Sequence, residues 1–236
     1  MPKEEGKDTI LGDYHDSLDL RNQSKKNLRK LSETLKKDNS IEQMYLIVDG
    51  ISMQILFETI QSKSSLKRLI INGIEDDVGA YFLSKALESN DSLKELHFNN
   101  KFQKIKLSTA KFLFDFLKKN KCIKKIGFFE ELFRDDECTL YFYKKLQKNN
   151  SLKSIDFPTT KNEEKQIKLI TKCFQNNSKI EIINLHFKSL GRENTNKTFF
   201  ESFKNLENLI FLKFFSNKTR KEENKCFSES LRKLIN

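Results

Sequence analysis

Residues 66–87 decide the fold: they read Leu66-Lys67-Arg68-Leu69-Ile70-Ile71-Asn72-Gly73-Ile74 and, after three further residues, Val78-Gly79-Ala80-Tyr81-Phe82-Leu83-Ser84-Lys85-Ala86-Leu87. The first half follows the frame apolar-x-x-apolar-x-apolar, which indicates a short buried strand. The second half places apolar residues three and four positions apart, which is the spacing of one helix face. The stretch therefore predicts a strand, a loop and a helix in succession.

The strand frame recurs along the chain. Its seven copies begin at Ile41, Leu66, Leu93, Ile123, Leu152, Ile180 and Leu206. An eighth is half visible upstream, with His15, Leu18 and Leu20 in the three frame positions. From His15 to Leu206 the starts follow one another at nearly even steps. Because random apolar runs do not keep such a register, the sequence predicts a repeat protein whose unit is a strand, a loop, a helix and a polar turn.

The best copy resembles the leucine-rich repeats of the ribonuclease-inhibitor-like (RNI-like) type. Gly79-Ala80 before the helix and Asn72 near the strand end carry the match. The resemblance implies an α/β leucine-rich-repeat solenoid of about eight irregular repeats of about 25–30 residues, with a curved parallel sheet on the concave side and parallel helices on the convex side. We expect residues 1–14 to form an N-terminal end or cap, ordered or not, and residues 15–221 to form the solenoid. Residues 222–236 then form a capping helix or begin a further repeat.

Composition restricts the class of protein. The 236 residues include 44 Lys and Arg against 33 Asp and Glu, a formal charge of +11, and only 2 Pro and 7 Gly. Few Pro and Gly exclude collagen-like and linker compositions, and four Cys without a CxxC pair exclude a disulfide-stapled scaffold. No run approaches the ~20 apolar residues of a membrane span, and the N-terminus lacks the apolar run of a signal peptide. We therefore expect a cytoplasmic protein, and we expect it to be a monomer.

The residues between the apolar frame positions are expected on the concave face, because successive side chains of a strand point to opposite faces. The central row reads Asp19, Tyr45, Ile70, His97, Gly127, Asp156, Asn184 and Ile210. A flanking row reads Ser17, Gln43, Arg68, Glu95, Lys125, Ser154, Ile182 and Asn208. The two rows carry a net charge of −1, and we expect His97 to face outward into solvent.

The first hypothesis for function is a non-enzymatic module that binds an unidentified protein partner on this concave face, because solenoids present extended concave binding surfaces. The candidate partner-binding residues are Tyr45, Arg68, Ile70, Glu95, His97, Lys125, Phe129, Asp156 and Asn184. Most of the phenylalanines are expected in the core, as Leu113, Phe116 and Leu117 illustrate, whereas Phe112 and Phe129 are expected to be partly exposed. Two of the cysteines, Cys122 and Cys173, are also expected in the core.

No motif favours catalysis, a cofactor or a metal. The segment Gly191-Arg192-Glu193-Asn194-Thr195-Asn196-Lys197-Thr198 approaches a phosphate-binding loop, but Asn196 stands where that loop needs its second glycine. The three histidines do not cluster, and none has a Cys or acidic partner at metal-ligand spacing. We therefore expect no catalytic residue, no cofactor and no metal site.

Two alternatives concern the positive charge and the resemblance. The lysines concentrate on the helices, at their C-terminal ends, where cations interact favourably with the helix dipole, and on their exposed faces. A basic convex side could bind nucleic acid or another polyanion, which is the second hypothesis. The third, regulation of a small GTPase, is implied only by the resemblance, and no residue is assigned to it.

Overall fold

The computed structural model describes residues 17–74, 76–99, 105–128, 136–157, 167–172, 179–187, 206 and 208–216. The strands are β1 (Leu18–Asp19), β2 (Gln43–Ile47), β3 (Arg68–Asn72), β4 (Glu95–Phe98), β5 (Lys125–Phe128), β6 (Ser154–Asp156), β7 (Ile182–Phe187) and β8 (Phe211–Ser216). The helices are α1 (Lys25–Lys37), α2 (Gly50–Ser62), α3 (Asp77–Ser89), α4 (Leu107–Leu113), α5 (Phe116–Lys119) and α6 (Asp136–Leu146), and residues 167–172 are also helical.

The strands form one parallel sheet in which each strand lies beside its neighbour in the sequence, from β1 to β8. Connections between adjacent parallel strands share one hand, so they place the helices on one face of the sheet. Successive helices pack against each other along that face, α1 on α2, α2 on α3 and α3 on α4. The prediction of an α/β repeat with one parallel sheet and a row of helices is confirmed.

The register of the central strands follows the predicted frame. Its middle apolar positions are Cα partners of one another across β2 to β7, in the order Met44, Leu69, Leu96, Ile126, Ile155 and Ile183. All six side chains are buried in one continuous hydrophobic core. One face of the sheet is therefore sealed against the helices along its length.

The predicted frame is wrong at both ends of the sheet. Leu18 pairs with Leu46 rather than with Met44, and it is 41% exposed, whereas Leu20 is 5% exposed and occupies the core. In β8 the partner of Ile183 is Leu212 rather than Leu209. The frame of the last repeat therefore starts at Leu209 and not, as predicted, at Leu206.

The physical reason at β8 is that Leu206, Leu209 and Leu212 are spaced by three, so two overlapping frames offer apolar residues to the core. A start at Leu209 keeps the distance from Ile180 equal to that between the preceding repeats, whereas a start at Leu206 makes the repeat too short. As a consequence, Asp19 and Ile210 do not lie in the central row with Tyr45 and Ile70.

Polar caps start the first three helices. Ser24, Asp49 and Asp76 precede α1, α2 and α3, and each accepts a hydrogen bond from a backbone N–H of the first turn. At α2 the bond is reciprocal, because Ser52 Oγ also accepts from the Asp49 N–H at 2.8 Å. In the loop before α3, Gly73 has φ +94°, and a Cβ there would overlap the Val48 carbonyl oxygen. Only glycine fits this close approach of two repeats.

The phenylalanines form most of the core between the helices and the middle of the sheet, as predicted. Phe98 and Phe128 stack in neighbouring strands with ring centroids 5.6 Å apart, and Phe114 packs on Phe142 at 4.9 Å. The predicted core face of Leu113, Phe116 and Leu117 is buried, and Phe112 is partly exposed as predicted. Of the two cysteines expected in the core, Cys122 is half-buried and Cys173 lies outside the described residues.

A ladder of buried polar side chains joins each turn to the preceding repeat. The carboxamides of Asn90, Asn120 and Asn149 donate to the carbonyl oxygens of Ile60, Leu87 and Leu117, at 2.6, 2.7 and 2.7 Å. Each carboxamide oxygen also accepts from backbone N–H groups two and three positions ahead, where the next strand begins. We call these three residues the asparagine ladder.

Lys63 occupies the corresponding place one repeat earlier. Its ammonium group is buried and donates to the carbonyl oxygens of Leu35 at 2.6 Å and Asp38 at 2.5 Å. The ladder satisfies the carbonyl groups that a helix leaves open at its C-terminal end, which would otherwise be costly to bury.

Several expectations fall outside the described residues: those for residues 1–14, the near phosphate-binding segment, Phe129 and residues 222–236. Among the helices that are described, none is long and apolar enough to span a membrane.

Candidate functional site

The candidate site is the sheet face that points away from the helices, which we call the open face. Eight of the nine predicted partner-binding residues are described, and Phe129 is not. Tyr45, Ile70, His97 and Gly127 are consecutive Cα partners across β2 to β5. Asp156 and Asn184 continue as partners across β6 and β7. The structure therefore brings the predicted residues together in rows that cross the strands.

His97 lies at the middle of the open face, but it is not solvated as predicted. Its side chain is only 3% exposed. The neighbouring position across β5 is Gly127, where a Cβ would overlap the Nδ1 atom of His97 and approach Asp156 Oδ2 to 3.0 Å. The missing side chain at Gly127 thus leaves the space into which the imidazole and the carboxylate converge.

Four charged residues surround His97. Glu95 Oε2 lies 3.5 Å from His97 Nε2 and 3.7 Å from Arg68 Nε. Lys125 Nζ lies 3.9 Å from Asp156 Oδ2. Two positive and two negative side chains therefore alternate over the centre, and their charges cancel. We call Arg68, Glu95, His97, Lys125 and Asp156 the central cluster.

The pKa of His97 is lowered, chiefly because burial disfavours the imidazolium and also because Lys125 and Arg68 repel it. Glu95 and Asp156 oppose the shift. The imidazole is therefore neutral at pH 7. The ion pairs around it are one-fifth to two-fifths exposed, so each contributes little to stability by itself.

Asn184 fixes the orientation of one carboxylate in the cluster, because its amide donates to Asp156 Oδ1. Such a hydrogen bond holds the acid in its charged form and directs the other oxygen toward Lys125. No group of three metal-ligating side chains occurs among the described residues. The arrangement suits recognition by charge and shape rather than proton transfer to a substrate.

Apolar side chains lie on both sides of the central cluster. On one side are Tyr45 and Ile70, both half-buried, with the Tyr45 hydroxyl accepting from Asn99 Nδ2 at 2.9 Å. On the other side Ile182 and Phe211 are Cα partners and are 37% and 51% exposed. Phe211 was not predicted here, because the predicted frame of β8 assigned it to the core. The even spacing of the neighbouring repeats was the signal that could have corrected it.

No protein-family model matches the chain, and no curated protein matches its sequence. Among solved structures it is similar to one described as "Leiomodin-1 Actin-Binding Site 2 (ABS2)", with a TM-score of 0.51 and 15% identity over 64% of this chain and 87% of that one. Another, the apo form of 3-keto-D-glucoside 4-epimerase YcjR from E. coli, covers 93% of this chain and 98% of that one at 11% identity, but its TM-score of 0.30 is too low to indicate a shared fold. The first likeness concerns the fold alone, which is a leucine-rich-repeat-like arrangement of strands and helices.

Proposed function

We propose that this chain is a non-enzymatic interaction module of the RNI-like leucine-rich-repeat type, which binds a partner protein on a curved, concave open face. The observation that carries the proposal is the composition of that face. An uncharged balance of two acids and two bases lies between the apolar pairs Tyr45–Ile70 and Ile182–Phe211. None of the described helices packs on this side of the sheet, so the whole pattern is available to a partner.

Charge argues for a protein partner rather than a polyanion on this face. A nucleic acid needs an excess of Lys and Arg, because neutralising its phosphates supplies most of the affinity. In the central cluster Arg68 and Lys125 are instead matched by Glu95 and Asp156. Protein interfaces combine such paired charges with aromatic and aliphatic side chains. The fold neighbour is itself described as an actin-binding site, so this architecture binds a protein in that case.

The test charges the apolar pair Tyr45–Ile70. The Tyr45→Glu, Ile70→Glu double variant should lose a partner captured from the native cell while its circular dichroism stays that of the wild type. The matched control is Val78→Glu with Tyr81→Glu, an aliphatic and a tyrosine residue exposed on the helical side by 50% and 42%. If the open-face variant retains the partner, or if both variants lose it equally, the proposed site is wrong.

Helix α1 motivates the alternative of polyanion binding. Its sequence KKNLRKLSETLKK contains six basic residues and one acidic residue, and the first turn carries no acid. Binding of this kind should weaken steeply between about 50 and 200 mM salt. Absence of any shift of RNA or DNA at low salt would remove it. Stimulation of a small GTPase rests on the resemblance alone, and a negative turnover assay would end that hypothesis.

A further inference from the structure

A second surface, on the helical side, carries a binding site distinct from the open face. A groove with a volume of about 370 Å³ runs between α1 and α2. Its base is closed by the buried Ser32 and Thr59 hydroxyls, which hydrogen-bond to each other at 2.6 Å. Its lining residues on α1 are Lys25, Arg29, Ser32, Glu33 and Lys36, and those on α2 are Ile51, Gln54, Ile55, Phe57 and Glu58.

The floor of the groove is apolar. Ile51 and Ile55 lie one helical turn apart on α2, and Phe57 lies beyond them. Ile55 and Phe57 are half-buried against the core, but Ile51 is 51% exposed. Among the described residues nothing covers Ile51, so this part of the groove offers apolar surface to a ligand.

One end of the groove is cationic. Lys25 and Arg29 are exposed and one helical turn apart, and neither forms an ion pair with a described residue. Lys25 also lies in the first turn of α1, where a positive charge opposes the helix dipole. These cations therefore do not stabilise α1 through a salt bridge or the dipole, and they are available to carboxylates of a ligand.

The other end has the opposite character. Lys36 bridges Glu33 and Glu58, with Nζ–Oε distances of 3.6 and 3.1 Å. The pKa of Lys36 is raised, chiefly by its hydrogen bond to Glu58. Two carboxylates share one ammonium group there, so this end is net negative. A phosphate polymer along the groove would meet these carboxylates, whereas a peptide can present an acid at one end and a base at the other.

We propose that the groove between α1 and α2 binds an amphipathic helix of a partner protein, with its acidic residues against Lys25 and Arg29 and its apolar face on Ile51 and Ile55. The stretch from Lys25 to Lys36 rises about 16 Å, which matches a helical segment of about three turns. Helices commonly bind such grooves by apolar residues repeated every three to four positions. A basic residue near the other end of the ligand would pair with Glu33 or Glu58.

The probe is a labelled, end-blocked peptide long enough for about four helical turns. It carries leucines at helical spacing, two glutamates in its first two turns and a lysine in its last. Binding to the full chain is measured by fluorescence anisotropy at about 150 mM salt, close to physiological ionic strength, where only charges near each other still interact. A peptide in which the glutamates are lysines, a single-stranded RNA and phosphatidylserine vesicles are measured beside it. We expect binding of the acidic peptide only.

Two matched pairs of variants locate the site. Lys25→Glu with Arg29→Glu should weaken the peptide about tenfold or more through like-charge repulsion. The control is Lys26→Glu with Lys30→Glu, which changes the charge of α1 equally but lies away from the groove. For the floor, Ile51→Gln should also weaken binding, whereas Val78→Gln should not, since Val78 is the equivalent exposed residue in the first turn of α3.

Equal losses in the two charge pairs would mean that α1 attracts anions without a groove, and the proposal would be wrong. It would also be wrong if the peptide failed to bind or if RNA or vesicles bound in its place. The open-face variant Tyr45→Glu, Ile70→Glu should bind the peptide normally, so the groove and the open face are tested independently.

Discussion

Replacing Asn149 by alanine tests the asparagine ladder. Its carboxamide is 1% exposed and bonds three backbone groups: it donates to the Leu117 carbonyl at 2.7 Å and accepts from the Ser151 and Leu152 N–H groups at 2.9 Å each. A buried hydrogen bond contributes about 1 kcal/mol net, and more when its partner is left without water. The expected loss is therefore about 3 kcal/mol out of a typical stability of roughly 5–15 kcal/mol.

Urea unfolding followed by circular dichroism measures this loss, and the midpoint of thermal unfolding should fall by roughly 6–12 °C. Asn150→Ala is the matched control, because this exposed neighbour lies in the same turn, and it should change stability by less than about 0.5 kcal/mol. Hydrogen exchange should also show lost protection at the Ser151 and Leu152 amides. If the two variants are equally stable, or if those amides stay protected, the ladder does not hold the repeats together as described.

Three further predictions concern buried groups. Gly127→Ala should destabilise the chain by about 1–3 kcal/mol, because its Cβ would overlap His97; in the background of His97→Ala the same change should cost less, and equal costs in a double-mutant cycle would show that the two residues do not compete for space. Lys63→Met leaves two buried carbonyls without donors and should cost about 1–3 kcal/mol in urea unfolding, whereas the exposed Lys67→Met should be near neutral. The third prediction follows from the lowered pKa of His97, whose unfolded value is about 6.5. The unfolded chain binds the proton first, so the contribution of neutral His97 is complete above about pH 6.5 and is lost as the pH falls below it; the stability of His97→Gln should fall less between about pH 6.5 and 5, and parallel curves for the two proteins would contradict the burial of the imidazole.

The repeat frame could be predicted where apolar residues left a single choice. Between Ile41 and Leu185 the strands take the predicted register, and the open-face residues from Tyr45 to Asn184 follow from it. At β8 the run of leucines spaced by three admits two frames, and burial of the whole strand decides between them. Local pattern does not contain that information.

The sequence also did not predict the surroundings of His97 or the role of the turn asparagines. Gly127 was visible in the central row, but the space that it leaves depends on which residue lies beside it across the sheet. The turn asparagines were interpreted as residues that tolerate turn conformations. Their second role, donating to the preceding repeat, depends on a contact that is a whole repeat away in sequence.

That second role gives the chain a direction of assembly. In every rung the donor belongs to the later repeat and the acceptor to the earlier one. A repeat emerging from the ribosome therefore meets acceptors that have already been made, which suits growth of the fold from the N-terminal side. Pulse proteolysis of ribosome-bound chains arrested at increasing lengths would show protection advancing repeat by repeat, and protection gained only at full length would contradict it. The ladder is thus a template that each finished repeat offers to the next.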